Sequence, residues 1–499
     1  MSLLAIDIGS STCKAVAFSV EGKILAQSAL SYLPDFPAPS HAEMDPHRFW
    51  DAVCTCSRTL ANDLADPVRA LCLSSHGETF IPVNAQGRAI APAILNQDNR
   101  ATTETSCLER DLGRKRTFEI TGLVAHPMYP VPKILWLRTH LPEVFSSTDR
   151  FVSVIGYILL QLGLPPYIDY SLASRYLAFD VRRRCWSADI LTAADLHSDR
   201  LPIPVPAGTI AGKLEGESAR QLGLGSETLV VVGGHDQPCG ALGVGAVEPG
   251  HVADSIGTYE CLLAASDTPS LSESALSACL NSYCHVVPDK YVTIVYFPSG
   301  IMVKWFHDLL YTNGRGRGES SEAEHYRSLE AQAPTGPTGL CITPNLIGTC
   351  NPDFNPHARG IIAGLSPGTG RAQIYKGILE GLACEFSSLA SVLGKTTGYF
   401  QDTYVTGGGT RSQLGLALRA ALSGKRLHVM KCPEAVCLGG AILAGVAAAE
   451  YADLPQAVGQ LVHEAGVVEP DAAVAAAYGT QIERYERLRG AAVVHEVQE

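Results

Sequence analysis

Residues 3–18, Leu-Leu-Ala-Ile-Asp-Ile-Gly-Ser-Ser-Thr-Cys-Lys-Ala-Val-Ala-Phe, constrain the fold more than any other stretch. An apolar run carries Asp7 to its end, a turn of Gly9, Ser10, Ser11 and Thr12 follows, and a second apolar run returns. That order predicts a β-hairpin. Its tip offers backbone N–H groups, hydroxyls and Lys14 to an anion, and Asp7 sits where it could hold a cation against that anion. Nucleotide phosphates with Mg2+ suit such a tip, although Gly-Ser hairpins are common enough that the segment alone is a weak signal.

The design recurs. Residues 252–265 again give an apolar strand with Asp254, a Gly257-Thr258 turn and a returning strand. Two such hairpins, one near the start of each half, predict two related domains facing each other across a cleft, with phosphates gripped from both sides. The boundary is expected near residue 245, giving domains over 1–245 and 246–499. Further strand-like segments (69–74, 229–233, 292–296, 403–406) alternate with helix-like ones (47–64, 132–138, 371–393, 412–422, 435–449), which implies an α/β architecture. In 412–422, Leu414, Ala417, Leu418, Ala421 and Leu422 follow the stripe of a helix packed on one face, and Gly424 sits where its C-terminus would want it. Residues 202–212 read as extended loop, and 312–338 as a surface excursion around one short helix.

Composition narrows the function. A chain of 499 residues with 46% hydrophobic content can bury large cores. A net charge of -12 argues against nucleic-acid binding but does not exclude anionic ligands, which local donors hold. The 15 cysteines show no Cys-x-x-Cys framework, and Asp7 would interrupt a hydrophobic leader, so idle thiols in a reducing cytoplasm are expected. The apolar runs 151–164 and 435–449 fall short of the roughly 20 residues that cross a bilayer, so no membrane partner is expected.

Two more segments carry chemistry. Residues 229–240 run Leu-Val-Val-Val-Gly-Gly-His-Asp-Gln-Pro-Cys-Gly: a buried strand, two glycines for close backbone approach, then Asp236 at the tip. A carboxylate there can take a proton from a hydroxyl or lie near a metal; it can equally cap the following helix. Residues 403–412 join a strand to a helix through Gly407, Gly408 and Gly409, which either admit a flat ring or ribose or simply permit the turn.

Taken together the motifs resemble the FGGY carbohydrate kinases, within the superfamily of hexokinase, actin and the chaperone ATPases, over nearly the whole chain. Residues 128–140, with Lys133 and Trp136, match the first family signature. Residues 360–380, from Gly360, Gly364 and Leu365 to Ile374 and Glu380, match the second, with Gly377 departing from the usual Ala or Ser. Segment 41–50 and Glu434 with Gly439 and Ala441 add smaller echoes. The resemblance implies a two-domain actin/hexokinase-like (ribonuclease H-like) fold with a central cleft, and ATP and Mg2+ as cofactors. It also implies roles: Asp236 as the general base and, with Asp7, near the metal; Gly9, Ser10, Thr12, Lys14, Gly257 and Thr258 around the phosphates. Gly300 and Lys304 fall near the nucleotide, and Gly407, Gly408, Gly409 and Ser412 under the adenosine, with Ser412 standing where relatives often carry Asn.

The sugar side is less uniform. Residues 74–80, Ser-Ser-His-Gly-Glu-Thr-Phe, are similar to the xylulokinase sugar loop in their His-Gly pair, and Glu78-Thr79 to glycerol kinase. In an extended segment His76 and Glu78 would point the same way. Asn96, Asp98 and Arg100 match a Trp-x-Asp-x-Arg family segment with Asn in place of Trp; Asp98 and Arg100 are either substrate contacts or a mutual ion pair. Ser75, His76, Gly77, Glu78, Asn96, Asp98, Arg100, Asp236 and Gln237 are therefore the expected substrate contacts. The resemblance implies an ATP-dependent kinase for D-xylulose or a related ketose, or else for glycerol, a tetritol or another polyol. An ATP-gated sugar-binding or regulatory protein is the reading from a different class. A small sugar or polyol is the expected partner, and the chain is compatible with a homodimer.

Overall fold

The computed structural model describes residues 2–311 and 321–494. Five strands build the N-terminal sheet: β1 (Ser2–Ile8), β2 (Thr12–Ser19), β3 (Ile24–Ser31), β4 (Val68–Ser75) and β5 (Leu229–His235). They lie in the order β5-β4-β1-β2-β3, with an extra edge strand, Ile210–Lys213, beside β5. β1, β2 and β3 form an antiparallel meander, while β1, β4 and β5 run parallel. The C-terminal sheet repeats this plan. Its strands β6 (His251–Ile256), β7 (Tyr259–Ser266), β8 (Tyr291–Pro298), β9 (Asp402–Thr406) and β10 (Arg426–Met430) are ordered β10-β9-β6-β7-β8. Both the meander and the parallel trio recur.

Alternation along β1 decides what each residue does. Leu4, Ile6 and Ile8 enter the core under helix α1 (Pro46–Asp63), whose Phe49, Val53, Cys56 and Leu60 supply the other half. Asp45 accepts from His47 N–H at 3.0 Å and Pro46 opens that helix. Leu3 and Ala5 face the opposite way, toward two helices that cross between the lobes. Asp7 continues their row and, half-buried, reaches the crevice.

The crossing helices are α2 (Asp236–Gly243), which follows β5, and α5 (Ala435–Ala447), which follows β10. Helix α5 belongs to the second half of the chain yet packs on the first half's sheet, with Gly440 against Ala5 and Cys72. The two helices touch backbone to backbone: a Cβ on Gly439 would lie 1.9 Å from the Cys239 carbonyl oxygen, and one on Gly243 1.9 Å from that of Ala435. No side chain fits there.

The second lobe packs its sheet under helices α3 (Arg371–Thr397) and α4 (Gln413–Ser423). Helix α3 is long and apolar enough to cross a membrane, but 72% of its apolar window is buried inside the lobe. Helix α4 ends on Gly424 at φ 65°, as its sequence predicts. Its buried face differs from the expected stripe: Ala417 is exposed, whereas Leu416, Arg419 and Ala420 are buried, because Arg419 turns inward to a carboxylate on β7. Residues 202–212 are not all loop but include strands Ile203–Val205 and Ile210–Lys213. The apolar run 151–164 divides into strand Arg150–Val152 and helix Val154–Gln161. Of the excursion at 312–338, helix Glu322–Ala331 is seen and 312–320 lie outside the described residues.

The helix crossing makes a direct test. Gly439→Ala is expected to lower stability by at least ~1–3 kcal/mol, the usual cost of overpacking, as a fall in the urea denaturation midpoint. Gly240→Ala, where a Cβ meets only Val436 Cγ2 at 3.6 Å, leaves the midpoint within error.

Candidate functional site

Asp7 pairs across the hairpin with Lys14 and along the parallel neighbour with Ser74, so one face of the sheet presents all three at the head of the crevice. Ser74 Oγ donates to Asp7 Oδ1 at 3.1 Å. Burial lifts the Asp7 carboxyl to about 6, opposed by Ser74 and Lys14 and assisted by Glu434. The Gly9–Thr12 turn is closed by Gly9 N–H to Thr12 C=O at 2.9 Å, and Tyr32 Oη donates to Gly9 C=O at 2.5 Å. Ser10 and Thr12 stay half-buried at its tip. Lys14 does not stand free: its Nζ meets Glu434 Oε2 at 2.6 Å, just ahead of α5.

Asp236 opens α2 at the end of β5. The glycines before it serve packing rather than a ligand, since a Cβ on Gly233 would lie 2.3 Å from the Leu73 carbonyl oxygen and one on Gly234 2.5 Å from Val286 Cγ1. Nor does Asp236 cap the helix, for the cap position is His235. Its Oδ1 accepts from Gln237 N–H at 2.6 Å and lies 3.2 Å from His235 Nε2, and the side chain is 24% exposed to the crevice. Burial pushes the Asp236 carboxyl well above the usual range, with the charges of Asp7 and Glu78 adding to it. Burial holds His235 at about 3, so it is neutral, and its Nδ1 pairs with Tyr283 Oη at 3.1 Å.

Across the crevice the exposed Gly257–Thr258 turn is clipped to the start of helix Gly300–Tyr311 by Gly300 N–H to Gly257 C=O at 3.0 Å and Ser299 N–H to Thr258 C=O at 3.1 Å. Asp254 is not the counterpart of Asp7. It shares the core face of β6 with Val252 and Ile256, has no exposure and no hydrogen-bond partner, and burial pushes it well above the carboxylate range. Ser255, on the other face of β6, is half-buried and pairs opposite Cys261. Burial and then the charge of Asp236 raise the Cys261 thiol, so Asp236 lies within electrostatic reach of the second lobe's hairpin.

Gly407 and Gly409 press on the end of β6, where Cβ atoms would lie 2.6 Å from Ile256 O and 2.1 Å from Ile256 Cγ2; Gly408 alone faces open space. Ser412 caps α4 by accepting from Gly415 N–H at 2.9 Å and donates to Glu330 at 2.7 Å. Lys304 is exposed and ion-paired with Asp308 at 3.0 Å.

On the sugar side the extended reading of 74–80 fails. Glu78 has φ 58°, and Thr79 N–H bonds Gly77 C=O at 2.8 Å, so the chain bends. His76 is buried with both ring nitrogens taken, by Ile8 C=O and Thr79 Oγ1 at 2.8 Å each. Ser75, also buried, donates to His76 C=O. Asp98 and Arg100 form the ion pair: Arg100 Nη2 meets Asp98 at 2.7 Å and Glu43 at 2.7 Å, over the Trp136 ring. Asn96 Oδ1 is buried without a partner, and Gln237 is half-buried beside Asp236.

Three residues that sequence reasoning missed hold these parts. Glu260, fully buried on β7, receives Arg419 Nε at 2.8 Å and Ser299 Oγ at 2.7 Å, tying the second turn to α4. Arg419 stands out in sequence as a charge inside an apolar helix, and Arg175, inside an apolar run, pairs with Glu78. Among the described residues no group of three or more His, Cys, Asp or Glu is spaced to hold a metal. The donors present are the two mutually repelling carboxylates Asp7 and Asp236. They fit a hydrated Mg2+ bound through one or two carboxylates and phosphate oxygens.

Comparisons agree along the chain. Residues 2–243 match the N-terminal domain of the FGGY family of carbohydrate kinases and 252–448 its C-terminal domain. The xylulose kinase of Escherichia coli (strain K12) is 30% identical over 491 residues, covering 97% of this chain and 98% of that one. The gluconokinase of Bacillus subtilis (strain 168) is 27% identical over 448 residues, 88% of this chain and 86% of that one. In fold, a ligand-bound xylulose kinase from Lactobacillus acidophilus superposes with a TM-score of 0.89 at 24% identity, over 99% of this chain and 98% of that one. Plasmodium falciparum glycerol kinase with ADP gives 0.87 at 18%, with the same coverage.

Because the charge of Asp7 adds to the upward push on Asp236, removing it must lower the Asp236 pKa. A carboxyl-carbon NMR titration should show Asp236 titrating above the ordinary carboxylate range, and at lower pH in Asp7→Asn. An unchanged titration would mean that the two carboxylates do not interact.

Proposed function

Given that the chain belongs to the FGGY family of carbohydrate kinases, we propose that it phosphorylates D-xylulose or a closely related ketose, with Asp236 as general base. One observation supports this reading: Asp236, partly exposed at the head of α2 beside His235, is close enough to Asp7 for the two charges to interact. ATP is the family's phosphate donor.

Phosphoryl transfer asks a protein for in-line positioning and charge neutralisation more than for covalent help. In this reading the N-terminal domain, 1–245, seats the sugar with its reactive hydroxyl against Asp236, and the C-terminal domain, 246–499, holds the adenosine. Gly9, Ser10 and Thr12 meet the phosphates from one side, and Gly257 and Thr258 from the other. Asp7 and Asp236 would hold Mg2+, which when bound supplies charge neutralisation at the phosphates. Asp236 takes the hydroxyl proton; His235, neutral and 3.2 Å away, orients the carboxylate that receives it. Gly408, facing open space, is the member of the triplet that leaves room for the nucleoside. Closure of the two lobes would exclude water that could otherwise take the phosphate.

Asp236→Asn is the test. ATP binding, followed by thermal shift, should persist while D-xylulose phosphorylation falls at least ~10²-fold, the lower end of what a positioned base contributes. Turnover near wild type would remove Asp236 from this role.

A further inference from the structure

Two of the similar proteins are a xylulose kinase, named for an uncharged sugar, and a gluconokinase, named for a sugar acid. The charges behind the sugar loop bear on that choice. Arg175 Nε meets Glu78 Oε1 at 2.5 Å, and the two side chains are only 7% and 6% exposed. The guanidinium is held between the rings of Tyr129 and Tyr283, at 5.3 and 4.8 Å. Its Nη1 is buried with no hydrogen-bond partner. The pair sits directly behind the base: a Cβ on Gly77 would lie 3.1 Å from Arg175 Cγ and 3.0 Å from His235 Nε2, the atom facing Asp236.

The neighbouring cations are committed as well. Lys133 Nζ donates to Glu78 C=O and Leu95 C=O at 2.7 Å each, and burial brings it down to about 7. Arg100 is shared between Asp98 and Glu43.

We propose that Glu78 is a specificity residue: by neutralising Arg175 it leaves the acceptor pocket without an unmatched cation and restricts it to uncharged sugars and polyols. A carboxylate-bearing acceptor would enter beside Asp236 and Glu78 with no cation to receive it, and a buried charge lacking its partner is strongly disfavoured. The inference rests on placing the sugar against Asp236, but it concerns binding, so it is tested apart from catalysis.

The probes are xylitol and D-xylonate, which share a carbon skeleton and differ in charge, with affinities measured by titration calorimetry and kcat/KM by ADP release. Wild type should favour the neutral member at least ~10²-fold, the scale of stranding one buried charge. Glu78→Gln, which leaves Arg175 uncompensated, should narrow that ratio at least ~10-fold, because an unmatched buried cation now favours the acid. The double variant Glu78→Gln/Arg175→Gln, with both charges gone, should restore the preference for the neutral probe. It also answers the question if the single variant fails to fold. Equal or tighter binding of xylonate by wild type, or an unchanged ratio in the single variant, overturns the proposal. A preference for xylitol over D-xylonate that narrows in Glu78→Gln, without phosphorylation of any sugar, would sink Asp236 as the base while supporting the pocket's selectivity.

Discussion

The contact on which the site depends is the crossing of α2 and α5 at Gly243 and Gly439. Each helix follows the last of the three parallel strands of its own lobe, and both lie between the two sheets. The carbonyl of each chain occupies the place where the other would carry a Cβ. That approach puts the head of α2, with Asp236, and the residue before α5, Glu434, at one crevice. Glu434 then fixes Lys14, and Lys14 lies opposite Asp7 on the hairpin.

The electrostatics follow from crowding. Asp7 and Asp236 share a low-dielectric crevice and each is harder to ionise than a free carboxylate. The nearest cations are already committed, Lys14 to Glu434 and Arg175 to Glu78. With no free cation beside them among the described residues, the two carboxyls resist carrying charge together.

The sequence disclosed what local chemistry dictates. The apolar run of residues 3–8, the turn residues 9–12 and the helix predicted from residue 47 all formed as their side chains require. The repeated hairpin correctly announced a duplicated lobe. What stayed hidden was set by distant partners. The face of Asp254 depends on a register of one residue relative to the turn, so its resemblance to Asp7 misled. The alternation argument for His76 and Glu78 failed because Glu78 turns left-handed to meet Arg175, 97 residues away. Glycines read as room for ligands at 233, 234, 407 and 409 instead press on neighbouring backbone, Val286 and Ile256. No local pattern distinguishes those uses.

Helix α5 has one more consequence. It seals the face of the first sheet formed by Leu3, Ala5, Val16, Ala70, Cys72 and Val231, although more than four hundred residues separate it from β1. A polypeptide cut after the first lobe would present that oily surface to water and lack the carboxylate that anchors Lys14. The seam visible in the primary structure is thus not a line along which the molecule can be divided. On the ribosome, the opening strand must wait for α5 to emerge before the sheet face behind it is covered and Lys14 is anchored.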